Sequence, residues 1–157
     1  MIESKKELKL ENLFTNRIKI NRFETENYIQ ALKKRCQDNE IYVQRLITVT
    51  FGIENKSDEN QIFDLELIIE PKNTDLITHL PNGFLKKTEI YITNALYLHY
   101  QGSNKESIKA FSEINNYLIS NKLLAITPAY SVSNNPFNQP DGEIDLEIYI
   151  GINPNIL

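Results

Sequence analysis

Between residues 13 and 70 the apolar positions change period twice. Ile18 and Ile20 alternate with polar neighbours, as a half-buried strand requires. Tyr28, Ile29, Leu32 and Cys36 then recur at helical spacing behind Thr25, a residue suited to capping a helix start. Asn39 is placed to close that helix in a left-handed conformation. Residues 42–53 are rich in Val, Ile, Thr and Phe, and Phe63, Leu65, Leu67 and Ile69 alternate with Asp64, Glu66 and Glu70. Both segments predict strands, joined by a polar turn from Glu54 to Gln61. The order is β-α-β-β.

The same order returns further along. Pro81-Asn82-Gly83 is a turn signal, and Leu96, Leu98 and Tyr100 share one face of a strand over residues 89–100. Ser103-Asn104-Lys105-Glu106 has the form of a capping box, and Ile108, Phe111, Ile114 and Leu118 follow at helical spacing until Asn121. A short strand over 130–133, a loop over 134–142 and a last strand over 144–152 complete the unit. Two matches tie the halves together. Thr15-Asn16-Arg17-Ile18-Lys19-Ile20 is answered by Thr93-Asn94-Ala95-Leu96-Tyr97-Leu98, an offset of 93 − 15 = 78. Asp64-Leu65-Glu66-Leu67-Ile68-Ile69 is answered by Asp145-Leu146-Glu147-Ile148-Tyr149-Ile150, an offset of 145 − 64 = 81, so three loop residues absorb the drift. Two units are too few for a solenoid. They predict one pseudo-two-fold domain over residues 13–157, with halves 13–70 and 89–152, behind a flexible charged lead-in over residues 1–12. The expected fold class is α+β, with both helices on one face of a mostly antiparallel sheet.

Composition narrows the partners. The 157 residues are 41% hydrophobic and 24% charged, which suits a single soluble domain. A net charge of −4, with no basic cluster beyond Lys33-Lys34-Arg35, argues against nucleic acid. No apolar run reaches the ~18 residues of a membrane span, and the first residues lack the apolar core of a signal peptide. The one cysteine, Cys36, cannot form an internal disulfide, and a cytoplasmic location is expected, which leaves the Asn55 sequon without meaning. Cys36 reads as a small core residue.

Alternation also says what the sheet turns away from the helices. Leu96, Leu98, Leu146, Ile148 and Ile150 should face them, leaving Tyr97, His99, Glu143, Asp145, Glu147 and Tyr149 on the other side, with Glu66 and Ile68 from the first half. That face is either the wet side of an amphipathic sheet or a binding surface for an apolar or cationic molecule. Catalytic patterns are scarce. The five glycines form no phosphate loop, and His79 and His99 lack partners at metal-ligand spacing, so neither metal nor cofactor is expected. Glu66 and Glu147 occupy equivalent positions but have no accompanying nucleophile, and no catalytic residue is assigned. A hydrolase using Glu147 as base is the weakest of three readings.

Residues 95–103, the helix with Ala110-Phe111 and 114–119, the segment 121–130 and Leu146-Glu147-Ile148-Tyr149-Ile150 together resemble the GyrI-like superfamily. That superfamily holds the effector-binding domains of multidrug-responsive regulators, stand-alone small-molecule binders and a gyrase inhibitor. The resemblance implies two β-α-β-β units around a cleft and matches Glu147 to the family's acidic residue; where the pattern often has proline, this chain has Gly151. The ending from Ile148 to Leu157 is similar to a compact stand-alone branch found in Firmicutes, and through it to EsaE-like chaperones encoded beside type VII secretion toxins. The expectation is therefore a non-enzymatic cytosolic binding protein that escorts a secreted effector protein, the alternative being a sensor of small lipophilic cations. Glu147, Tyr149, Tyr97, His99, Tyr91, Tyr130, Glu66 and Phe137 are the candidate ligand- or partner-binding residues. Phe137, in the loop 134–142, is either an exposed apolar tip or a plug folded against the sheet edge.

Overall fold

The computed structural model describes residues 1–54, 61–77, 79–137 and 142–153. The turn expected after Glu54, the Asn55 sequon, the far end of the 134–142 loop and the chain's end after Asn153 lie outside those residues. Six strands and two helices run in the order β1 (Ile2–Asn21), α1 (Thr25–Asp38), β2 (Val43–Glu54), β3 (Ile62–Pro71), β4 (Leu85–Ser103), α2 (Ile108–Ser120), β5 (Ala125–Ser133) and β6 (Glu143–Ile152). All pairings are antiparallel, and the sheet closes in the order β1-β3-β2-β5-β6-β4. This is the α+β, twice-repeated β-α-β-β arrangement that the periodicity predicts.

Three apolar clusters hold it. Leu32 and Cys36 of α1 pack on Phe14, Leu46, Leu67 and Ile69. Ala110 and Ile114 of α2 pack on Leu96, Leu98, Leu146, Ile148 and Ile150. The third cluster fills the barrel, where Leu8, Leu10, Ile90 and Ile92 meet Ile47, Val49, Ile68 and Val132. Both helices therefore lie on the outside of the sheet, and its other face curls inward. Phe63, Phe111 and Leu118, which periodicity assigns to the core, are only half-buried.

The lead-in is the first departure. Residues 2–12 are not a flexible segment but the front half of β1, paired with β4, with Leu8 and Leu10 buried. Left-handed residues at Lys5 (φ +58°) and Asn12 (φ +58°) interrupt the alternation that would otherwise have announced a strand. The repeat register is the second departure. Phe14 pairs with Ile69 and Leu96 with Ile150, so β3 and β6 are offset by 150 − 69 = 81 and β1 and β4 by 96 − 14 = 82. The Thr-Asn match at 78 is thus displaced by four residues, a shift that leaves every side chain on the same face.

Helix ends repeat at the same interval. The left-handed positions are Glu40 (φ +56°) and Lys122 (φ +53°), one residue beyond the expected Asn39 and Asn121. Each asparagine instead turns its amide back, Asn39 Nδ2 to the Arg35 carbonyl at 2.7 Å and Asn121 Nδ2 to the Tyr117 carbonyl at 2.9 Å. Ile41 N–H reaches Cys36 O at 2.8 Å and Leu123 N–H reaches Leu118 O at 3.0 Å, a Schellman closure in both halves. At the helix starts, Asn21 and Ser103 accept from Phe23 N–H (2.9 Å) and Glu106 N–H (3.3 Å), each capping a short 3-10 turn; Thr25 lies inside α1. The reciprocal half of the expected capping box is missing, because the Glu106 carboxylate pairs with Lys109. Gly83 (φ +86°) makes the expected turn, and a Cβ there would stand 3.3 Å from Asn16 Oδ1.

Candidate functional site

The two halves meet where β2 pairs with β5. Leu46 pairs with Ile69 and Ala129 with Ile150, so β2 and β5 are equivalent at an offset of 129 − 46 = 83. Thr48 and Ser131 share that offset and are also paired with each other, which puts the pseudo-two-fold axis between them. On the opposite wall Lys9 and Tyr91 pair at the β1/β4 offset of 91 − 9 = 82, so the axis leaves the barrel there. Above Thr48 and Ser131 lies a cleft of about 420 Å³, within the usual range for small-molecule pockets. Ile29 of α1 and Phe111 of α2 form equivalent walls, and Leu46, Ala129 and Leu146 lie in the floor. Thr48, Thr50, Ser131 and Ser133 alternate with the barrel residues Ile47, Val49 and Val132 and so present their hydroxyls to the cleft. No side-chain hydrogen bond within the described residues uses these four hydroxyls, and none is a buried unsatisfied group.

The second cluster sits on the inner side of β6. Tyr97 Oη donates to Glu147 Oε1 at 2.7 Å, Tyr149 Oη to the same oxygen at 3.4 Å, and Asn134 Nδ2 to Oε2 at 3.0 Å. The two rings are tilted with centroids 5.0 Å apart, and the Lys6 ammonium stands 5.3 Å over Tyr97. Burial, with the carboxylate beside it, holds the Tyr149 phenol up at about 12 and raises Tyr97 further still. Among the described residues, Glu147 accepts only from neutral donors. Arg45 lies close enough to feel its charge but is forked onto Glu70 at 2.6 and 2.8 Å. Asn134 also donates to Asp145 Oδ1 (3.0 Å), and this bond, with His99 Nε2 at 2.7 Å from the same oxygen, holds the Asp145 carboxyl below its ordinary range.

The predicted site residues therefore separate. Glu147, Tyr97 and Tyr149 come together, with His99 joined through Asp145 at the exposed end of the same face. Glu66 and Tyr130 belong elsewhere in the barrel: Glu66 accepts from Thr15 (2.6 Å) and Lys87 (3.1 Å), and burial raises the Tyr130 phenol. Tyr91 is on the outer wall, bonded to Glu7 at 3.1 Å. Phe137 is half-buried against the α1 cluster and lines the cleft, so it is not the exposed tip, and the closed sheet offers no edge for it to plug. The face expected to be open is thus largely barrel interior, and the cleft lies on the helix side. Sequence reading passed over the four floor hydroxyls, although Thr48-Val49-Thr50 and Ser131-Val132-Ser133 are a repeat at the offset of 83.

No family model matches the chain, and no curated protein does. Solved structures do. The C-terminal domain of EcmrR superposes with a TM-score of 0.66 at 12% identity, over 98% of this chain and 97% of that one. The EcmrR chain in a DNA complex gives 0.68 at 12% identity, over 96% of this chain but only 57% of that longer chain. An uncharacterized conserved protein from Listeria innocua gives 0.57 at 8% identity, over 95% and 93%. Identities this low speak for the fold alone. The chain has the GyrI-like α+β fold, two β-α-β-β units sharing one antiparallel sheet, in common with the C-terminal domain of EcmrR.

Proposed function

We propose that this protein is a non-enzymatic small-molecule-binding module whose ligand seat is the cleft on the pseudo-two-fold axis. The observation that carries the reading is a pocket-sized cavity built from both halves, floored by hydroxyls that no side chain among the described residues uses. Polar groups placed without partners inside an apolar cleft are what orients a ligand. The resemblance to small-molecule-binding GyrI-like domains points the same way. Nile red, whose fluorescence reports transfer into an apolar site, should bind saturably in the micromolar range. Ser131→Phe, which fills the floor from a position already facing the cleft, should abolish that signal without lowering Tm. Binding unaffected by this substitution would sink the assignment.

A second reading, an organic cation held at Glu147, is favoured by the neutral partners that the described residues give this carboxylate and by the Lys6 ammonium already stacked on Tyr97. Glu147→Gln should remove such binding and Ser131→Phe should not. Escort of a secreted effector has less support. Of the aromatics it would use, Tyr97 is tied to Glu147 and Phe137 is turned into the cleft. Co-purification of a secreted protein, lost on Tyr91→Ala, is the result that would restore it. For hydrolysis, the Glu147 carboxylate meets two phenols and an amide rather than a nucleophile.

A further inference from the structure

We infer that the cleft is built for an uncharged, ring-bearing molecule with hydrogen-bonding groups of its own, and that it disfavours organic cations. The inference rests on the small-molecule reading above and adds the ligand's chemistry. The charge on the cleft decides it. Glu26 is the one ionisable side chain among the described lining residues, and it is solvent-exposed at the first turn of α1. A carboxylate in that position is screened by water and offers a buried cation little compensation. Glu147, the acidic residue suited to a cation, projects from the opposite face of β6 to Leu146, which lines the cleft. A cation seated between Ile29 and Phe111 would lose hydration with no counter-charge from the described residues around it, and that loss is far larger than the loss for a neutral polar group.

What the cleft does offer is neutral. Thr48 and Ser131 stand side by side on the axis, with Thr50 and Ser133 beyond them, and each hydroxyl can donate or accept. Phe111 and Phe137 give flat apolar surface above a floor that includes Leu46 and Leu146. Carbonyl or hydroxyl groups on a ring system would use the hydroxyl ladder while the ring covers the apolar walls. Because the ladder is self-complementary across the axis, hydrogen-bonding groups near both ends of a ligand find equivalent partners.

The test compares 2-naphthalenemethanol with 2-naphthylmethylammonium, which share a ring system and differ in charge. Both are titrated by naphthalene fluorescence in the Glu147→Gln background, so that only cleft binding is read. The alcohol should bind at least about tenfold more tightly than the ammonium, a difference of about 1.4 kcal/mol. Thr48→Val should weaken the alcohol roughly five- to tenfold through one lost hydrogen bond, and Thr48→Ser should restore it. Ammonium binding equal to or tighter than the alcohol would overturn the inference and leave the small-molecule reading standing. So would alcohol affinity unchanged in both Thr48→Val and Ser131→Ala. Failure of both probes to bind would remove the small-molecule reading itself. The alcohol-to-ammonium ratio is measured with Thr48 and Ser131 intact, so it decides even where a floor variant does not fold.

Discussion

Glu66 and Glu147 occupy equivalent positions, 147 − 66 = 81 residues apart, yet their charges are met in opposite ways. Glu66 is buried and takes an ammonium from Lys87 at 3.1 Å together with the Thr15 hydroxyl at 2.6 Å. Glu147 has the Tyr97 phenol where Glu66 has Thr15, and no cation is paired with it among the described residues. Removing the cation should therefore matter more than removing the second carboxylate. Lys87→Met is expected to cost about 1–3 kcal/mol, because a buried charge loses its partner. Glu66→Gln in the same chain should recover most of it. Glu147→Gln, which keeps an acceptor for both phenols, should cost less than about 1 kcal/mol. Urea denaturation of the three variants beside the parent protein measures all of this; equal losses for Lys87→Met and Glu147→Gln would contradict it.

Stability should fall on the alkaline side, and the sign follows from the phenols. Burial and Glu147 raise the folded Tyr149 pKa to about 12 from an ordinary value of 10.0. Above pH 10 the unfolded chain releases this proton while the folded chain keeps it, so the stabilisation present at lower pH is lost progressively up to the folded value. Tyr97 shifts in the same direction. Tyr149→Phe should flatten the decline in denaturation midpoint between pH 10 and 12 relative to the parent protein. An unchanged slope would show that neither burial nor Glu147 holds that proton.

The cores under the two helices predict a contrast within α2. Ile114 is fully buried between Leu96, Leu98 and Ile148, whereas Phe111 is half-buried and faces the cleft. Ile114→Ala should cost about 2–5 kcal/mol from lost transfer energy and the cavity left behind. Phe111→Ala should cost less than Ile114→Ala despite removing a larger side chain, since part of the ring is already in water. The order of the two losses in thermal denaturation is the check. A greater loss for Phe111→Ala would mean that the cleft closes over it in solution.

How far the sequence could be read follows from what periodicity can encode. Alternation at Phe63–Ile69 and the helical spacing of Ile108 to Leu118 gave the elements and their order, because burial on one face leaves a period. The front of β1 escaped, since Leu8 and Leu10 alternate correctly but Lys5 and Asn12 in left-handed geometry break the run on either side. Alternation separates the two faces of a sheet without saying that one of them closes on itself. Hence Glu66, Tyr130 and Tyr149 read as surface when they are barrel contents. The floor hydroxyls were legible as the paired Thr-Val-Thr and Ser-Val-Ser, but only a register of 83 shows that they meet. That register depends on the β2/β5 pairing, which no local pattern specifies.

Gly151 marks the place where the second half departs from regular pairing. Between Ala125↔Ile152 and Ala129↔Ile150 strand β5 carries two more residues than β6, and Pro128 within that bulge has no N–H to give. The Gly151 N–H is left facing the bulge, where Thr127 Oγ1 accepts it at 2.8 Å. The same hydroxyl donates to the Pro128 carbonyl at 2.8 Å, so one side chain satisfies both strands. A proline at 151 would delete the donor, and a side chain would collide. A Cβ on Gly151 would lie 2.8 Å from Thr127 Cγ2 and 3.2 Å from Ile92 Cγ2. Gly151→Ala is expected to destabilise by about 1–3 kcal/mol through overpacking. Thr127→Ser removes the clashing methyl and keeps the hydroxyl, so the double variant should regain more than half of that loss. Thr127→Val removes the acceptor and should recover nothing. If Gly151→Ala and the double variant unfold at the same urea concentration, the clash lies elsewhere, and Ile92 becomes the residue to trim.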